Sequence, residues 1–203
     1  MNLPNKLTLF RILMVPVFLA VMMFTDVGTV SRTVCAAIYI VTCLTDLADG
    51  KIARKYGLIT DFGKFMDPLA DKFIVFAALL GILVKYTEQI SPSVFVWAVA
   101  IVMFRELAVT SVRLVAAGKE GEVIAASMLG KIKTTTQMVC IITIMLEPVI
   151  ESLLSGAFPD NIFKYHPLSY LTTAVMTVMT VWSGLDYIVR YRRFLLPEKS
   201  EKQ

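Results

Sequence analysis

The chain divides by its pattern of apolar and polar positions into six long, helix-compatible apolar segments. They lie at about residues 8 to 25, 31 to 54, 65 to 86, 91 to 117, 127 to 151 and 166 to 190. Turn-forming residues separate them: Asp26 to Gly28, the stretch from Gly57 to Gly63, Tyr86 to Pro92, Gly118 to Gly121, and Gly156 to Pro167. The pattern predicts an all-α chain with six helices crossing a bilayer, preceded by a short amphipathic N-terminal segment. There is no low-complexity stretch and no convincing internal repeat, so residues 1–203 are expected to form one membrane domain.

The uncharged cores of these segments are short. Ile12–Thr25 holds 14 residues, Thr33–Thr45 holds 13, Phe73–Val84 holds 12 and Thr134–Leu146 holds 13, whereas a span needs about 20 to cross the hydrocarbon. Several helices must therefore carry charged turns into the bilayer margin, where an isolated charge at depth costs at least about 2.5–3.5 kcal/mol. Lysine and arginine relieve that cost by snorkelling. Aspartate is too short to do so, and aspartates at such positions are expected to face one another across a hydrated cavity.

Composition supports a bilayer protein: 57% of residues are hydrophobic and only 18% are charged, with a mean hydropathy of +0.70. The net charge of +4 does not point to nucleic acid, because no basic face with interleaved aromatics on a soluble scaffold accompanies it. It follows topology instead. Of the 20 lysines and arginines, Arg32, Lys85 and Lys164 fall on one side of the predicted bundle and the other 17 on the opposite side. This bias puts both termini in the cytoplasm of a multi-pass protein of the cell membrane. Lys6 and Arg11 precede the first apolar run as in a secretory signal, but no small-x-small cleavage site follows, so the first helix is read as retained. Cys35, Cys43 and Cys140 all lie in apolar runs and are read as buried small hydrophobes rather than a disulfide framework. Trp97, Trp182 and the phenylalanines are read as lipid-facing or packing residues.

Against this background four acids stand out. Asp46 and Asp49 close the second segment at i,i+3 spacing, and Asp67 and Asp71 open the third at i,i+4 spacing. Each pair projects from one helix face. Packed together, two such faces would bring four carboxylates to one place, where full ionisation requires a cation. Hard oxygen ligands suit Mg2+ or Mn2+, and the only histidine, His166, lies at the other end of the bundle. Gly50 and Gly63 permit close approach of a bulky anion, and Arg54 can fork onto phosphate. Carboxylates, divalent metal and arginine together suggest a diphosphate ligand, and two metals on such a group would withdraw charge from a leaving phosphate. Simpler roles exist for single acids. Asp67 and Asp71 can complement a helix dipole, and juxtamembrane acids pair with neighbours such as Lys51, Lys55 or Lys72, but neither explanation covers all four aspartates with both glycines and the arginine in register.

The pattern Asp-x2-Asp-Gly-x2-Ala-Arg-x8-Gly-x3-Asp-x3-Asp, from Asp46 to Asp71, resembles the signature of the CDP-alcohol phosphatidyltransferase family and matches it at every defined position. Three further blocks are similar to the branch of that family whose acceptor is glycerol 3-phosphate: Leu3 to Arg11, Phe104 to Leu107, and Gly130 to Thr134 with Gln137. The resemblance implies a six-helix, usually dimeric fold with two divalent cations near the cytoplasmic interface. One would be held by Asp46, Asp49 and Asp67, the second by Asp46, Asp67 and Asp71. Asp71 would also be the general base, taking the proton of the acceptor hydroxyl as it attacks the diacylglycerol-bearing phosphorus of CDP-diacylglycerol and expels CMP. Gly50, Arg54 and Gly63 would contact the CDP portion, with Asn5 and Thr8 nearby.

An acceptor that carries its own phosphate needs a second cationic group. Arg105, Arg113, Lys131 and Lys133 supply one at the ends of the fourth and fifth segments. Arg105 is the sharpest candidate, because it ends the uncharged run from Gln89 to Phe104 and stands beside Glu106; a structural pairing of these two is the plainer reading. Arg113, Lys131 and Lys133 also suit ordinary positive-inside residues or contacts to lipid headgroups. The tail from Arg190 to Arg193 is read as a topological anchor. Two rival functions share the aspartates: a synthase of the same family with a different acceptor, making cardiolipin, phosphatidylserine or phosphatidylinositol phosphate, and a divalent-cation transporter. Transporter sites lie near the midplane on broken helices, whereas these acids cluster at one end.

Overall fold

The structure is a computed structural model and describes residues 3–56, 61–120, 128–154 and 165–191. Six helices follow one another: α1 (Leu3–Phe24), α2 (Thr29–Tyr56), α3 (Asp61–Lys85), α4 (Pro92–Glu120), α5 (Met128–Leu154) and α6 (Pro167–Arg190). The amphipathic opening and the first apolar run form one continuous helix. Pro4 falls where the helix begins, a position at which its missing N–H costs nothing. Helix α3 already starts at Asp61, inside the break expected from Gly57 to Gly63.

Among the described residues four helical stretches are long and apolar enough to cross a membrane: Asn5–Phe24, Pro92–Val112, Met128–Leu154 and Pro167–Arg190. The chain is a multi-pass membrane protein. Among the described residues no stretch of α2 or α3 meets that measure, and these two helices carry the four aspartates together with Lys51, Arg54, Lys55, Lys64 and Lys72.

Helix α1 packs against both α2 and α3, α5 packs most extensively on α6 and also on α2, and α4 leans on α6 and α3. The shared core contains Phe18, Met22, Tyr39, Leu79, Ile82, Phe95, Ile141, Ile144, Met145 and Met176. Because lipid tails are as apolar as leucine, this packing is driven by close contact and not by escape from water. Small residues provide it: Ala70, Ala77, Ala78 and Gly81 are spaced along α3 and are buried. A Cβ at Gly81 would run into Met22 Sδ, so a larger residue there would make the flexible Met22 side chain shift. Large apolar side chains point outward instead, among them Phe24, Trp97, Phe104, Leu153 and Trp182. The three cysteines are free, and Cys35 and Cys140 are buried.

At the end of the bundle away from the aspartates, Arg32, Gln89, Glu147 and Ser169 form a buried, paired network. Pro148 inside α5 has no N–H, which frees the Ile144 carbonyl one turn earlier. Gln89 Nε2 donates to that carbonyl at 2.6 Å and to Ser169 Oγ at 2.8 Å, while Gln89 Oε1 accepts from Arg32 Nη1 at 2.6 Å. The Arg32 guanidinium also lies 4.1 Å above the Tyr86 ring. Helix α6 starts at His166, whose φ of 45° is left-handed and which offers no side-chain cap. Fully buried Glu147 replaces the cap, accepting the N–H groups of Leu168 at 2.9 Å and Ser169 at 2.8 Å and the Ser169 hydroxyl.

Candidate active site

The site begins on one face of α1. Asn5, Thr8 and Arg11 recur every three residues and are all buried, and the same face continues through Phe18 and Met22 into the apolar core. Burying a guanidinium demands partners. Arg11, 1% exposed, finds them on both neighbouring helices: its Nη1 donates to Asp46 Oδ1 of α2 at 2.6 Å and also to Asp71 Oδ1 of α3. Both aspartates are partly open, with side chains 30% and 44% exposed. One permanent cation thus gathers two carboxylates from different helices at a half-open position. Asp49 follows Asp46 by three residues in α2, and Asp67 precedes Asp71 by four in α3.

The donor chemistry suits a divalent cation. Asp46 and Asp71 present hard carboxylate oxygens that converge, and two acids with one guanidinium leave a negative charge over. Among the described residues no group of three or more His, Cys, Asp or Glu side chains meets at a point. The side chains of Asp49, Asp67 and Arg54, and Gly50 and Gly63 as contacts, lie outside the described residues, as does the Arg113 side chain.

A second cluster lies beside the first. Glu106 Oε1 on α4 accepts from Arg105 Nη1 at 3.1 Å and from Lys133 Nζ on α5. Lys133 is buried, and Lys72 on α3 adds its charge to the surroundings of both Glu106 and Lys133. Since Lys72 directly follows Asp71, the two clusters are neighbours across a single residue of α3. Arg105 leans on α6, where a Cβ at Gly184 would come within 3.3 Å of its Cγ. An apolar groove of about 400 Å³ between α4 and α6, lined by Trp97, Phe104, Val181 and Leu185 among others, reaches Arg105 from the outer surface. Four residues beyond Lys133, Gln137 is buried with its Nε2 lacking a hydrogen-bond partner.

The structure therefore brings together Asp46 with Asp71, and Arg105 with Lys133, and it lays Asn5 and Thr8 along the α1 face that carries Arg11. It does not gather Lys131, which stands exposed on α5, two residues and so more than half a turn from Lys133. The plain Arg105–Glu106 pairing is present, enlarged by Lys133. Arg11 is the residue that sequence reasoning did not place at the site, reading it as topological charge and as the end of the Leu3 to Arg11 block. Its signal was the three-residue recurrence of Asn5, Thr8 and Arg11 ahead of an apolar helix.

Comparison with known proteins adds to this geometry. Residues 1–185 match the family model described as CDP-alcohol phosphatidyltransferase. A Bacillus subtilis protein named CDP-diacylglycerol–glycerol-3-phosphate 3-phosphatidyltransferase is 42% identical over 92% of this chain and 93% of its own length. A probable phosphatidylglycerophosphate synthase of Mycobacterium tuberculosis is 37% identical over 95% of this chain and 82% of its own. An Escherichia coli protein with the same name as the Bacillus one is 34% identical over 97% and 98%.

Proposed function

Because the chain belongs to the CDP-alcohol phosphatidyltransferase family, we propose that it transfers the phosphatidyl group of CDP-diacylglycerol to sn-glycerol 3-phosphate, giving phosphatidylglycerophosphate and CMP. The observation that carries this reading is the meeting of Asp46 and Asp71 on one buried guanidinium, one residue along α3 from a cationic cluster around Lys133 and Arg105. The first cluster suits a metal-bound diphosphate and the second a phosphorylated acceptor. The names of the relatives agree with it.

Asp46, Asp49, Asp67 and Asp71 would hold two divalent cations, Mg2+ or Mn2+, which would supply charge neutralisation for the diphosphate and the departing CMP. Asp71 takes the proton of the primary hydroxyl of glycerol 3-phosphate. That oxygen forms a bond to the phosphorus bearing diacylglycerol as the bond from this phosphorus to the CMP phosphate oxygen breaks. Gly50, Gly63 and Arg54 receive the CDP portion, with Asn5 and Thr8 alongside. Arg11 keeps α2 and α3 in register so that their acids converge. Arg105, Lys133 and Arg113 attract the acceptor phosphate, and phosphoryl transfer asks chiefly for this kind of positioning and charge neutralisation. The protein crosses the cell membrane six times as a single domain, with both termini and the site on the cytoplasmic side, and works as a homodimer; the 17-to-3 bias of basic residues supports that orientation.

An acceptor panel tests the reading. Purified protein with CDP-diacylglycerol and Mg2+ should release CMP with glycerol 3-phosphate and yield phosphatidylglycerophosphate by mass. CMP release with serine, phosphatidylglycerol or inositol phosphate and not with glycerol 3-phosphate would reassign the acceptor. Nucleotide-independent cation flux in proteoliposomes without CMP release would replace the enzyme with a transporter.

A further inference from the structure

A cluster meant only to attract a phosphate would be weakened by an acid at its centre, yet Glu106 sits between Arg105 and Lys133, with Lys72 close by. We infer that Glu106 is a positioning residue for the acceptor phosphate: its carboxylate fixes the Lys133 ammonium and the Arg105 guanidinium in a preorganised fork. The inference rests on the reading of Lys133 and Arg105 as acceptor-phosphate ligands given above.

Three observations carry it. Lys133 is 2% exposed, and a lysine is a point charge on a flexible four-carbon stem that adopts no set direction by itself. Glu106 Oε1 receives both cations, so a single oxygen determines their separation. The remaining balance is also right. Arg105 and Lys133 against Glu106 leave one positive charge, to which Lys72 adds its field, so the cluster still attracts a phosphate monoester that carries roughly −1.5 to −2 at neutral pH. Glu106 thereby reconciles two demands: neutralising enough charge for the cluster to survive burial, and leaving enough to bind a dianion.

Positioning and simple electrostatics predict effects of opposite sign. Removing the negative charge in Glu106→Gln would strengthen anion binding if the cluster worked by net charge. If Glu106 holds the fork, the same variant weakens it. Steady-state kinetics on purified full-length protein with both substrates varied separately, together with competition by inorganic phosphate, distinguishes the two. Glu106→Gln is expected to raise KM for glycerol 3-phosphate and the inhibition constant for phosphate about 10-fold or more, with KM for CDP-diacylglycerol little changed. Glu106→Asp keeps the charge but withdraws it by one methylene, and should fall between wild type and Glu106→Gln. On a Lys133→Ala background, Glu106→Gln should add little, since the partner through which it acts is gone.

An unchanged or lowered KM for glycerol 3-phosphate in Glu106→Gln overturns the inference. So does a wild-type KM in Glu106→Asp, and that variant decides the matter if Glu106→Gln does not fold. A merely structural role would lower kcat and thermal stability while leaving the KM values alone, which also overturns it. If Lys133→Ala and Arg105→Ala themselves leave KM for glycerol 3-phosphate unmoved, the acceptor-site reading fails and the fork falls with it, whereas raised KM values in those two variants with an unmoved one in Glu106→Gln overturn the role of Glu106 alone.

Discussion

The two ends of the bundle bury ionisable groups in opposite styles. At the α6 N-terminus, Arg32, Gln89, Glu147 and Ser169 are almost wholly sequestered and fully paired, with His166 Nδ1 the buried polar atom beside them that lacks a hydrogen-bond partner. At the aspartate end, Arg11 is just as deeply sequestered, but the two carboxylates it holds remain partly open, Glu106 is shared by two cations, and the Gln137 Nε2 lacks a hydrogen-bond partner. A satisfied network in a low-dielectric interior fixes the backbone and has nothing left to offer a ligand. An unbalanced, half-open one retains charge that a ligand can complete. The contrast separates scaffold from site without reference to any relative.

Substitutions at the two ends should therefore fail differently. The largest effect is expected from Asp71→Asn, which should cut CMP release to below a tenth of the wild-type rate while the detergent-solubilised protein keeps its elution profile; a more active variant would remove Asp71 from the chemistry. Arg11→Met should come next. It leaves Asp46 and Asp71 facing each other without their shared cation, so the melting temperature should drop and saturating Mg2+ should restore part of the loss. A metal-independent drop would break the link between this pair and a cation.

Lys133→Ala and Arg105→Ala should raise KM for glycerol 3-phosphate more than KM for CDP-diacylglycerol, and equal effects on both substrates would dissolve the second cluster as a distinct acceptor pocket. The smallest functional effect belongs to the far end. Glu147→Gln removes the charge from a carboxylate that accepts three donors and should cost about 1–3 kcal/mol of stability, read as a lower melting temperature with both KM values unchanged. A shifted KM there would mean that the two ends are not independent.

The sequence made the helices legible because their apolar stretches are long and their breaks are rich in glycine, proline and aspartate. It also exposed the aspartates, since acids in so apolar a chain are conspicuous and their spacing is local. Arg11 escaped notice because a lone arginine near a membrane helix looks like topological charge, and its burial depends on where α2 and α3 pack. The Lys133–Glu106 pair joins separate helices, so no local period announces it. The Arg32–Gln89–Ser169–Glu147 network escaped for the same reason, with Arg32 read only as a basic residue on the sparse side.

The proline in α5 binds distant parts of the chain into one unit of variation. Replacing Pro148 with a residue that can donate would give the Ile144 carbonyl a second suitor and leave Gln89 needed only for Ser169 and Arg32, whereas losing Gln89 alone would strand that carbonyl. Anyone recombining segments of this protein with those of a homologue should move the α3–α4 turn and the second half of α5 as a matched set.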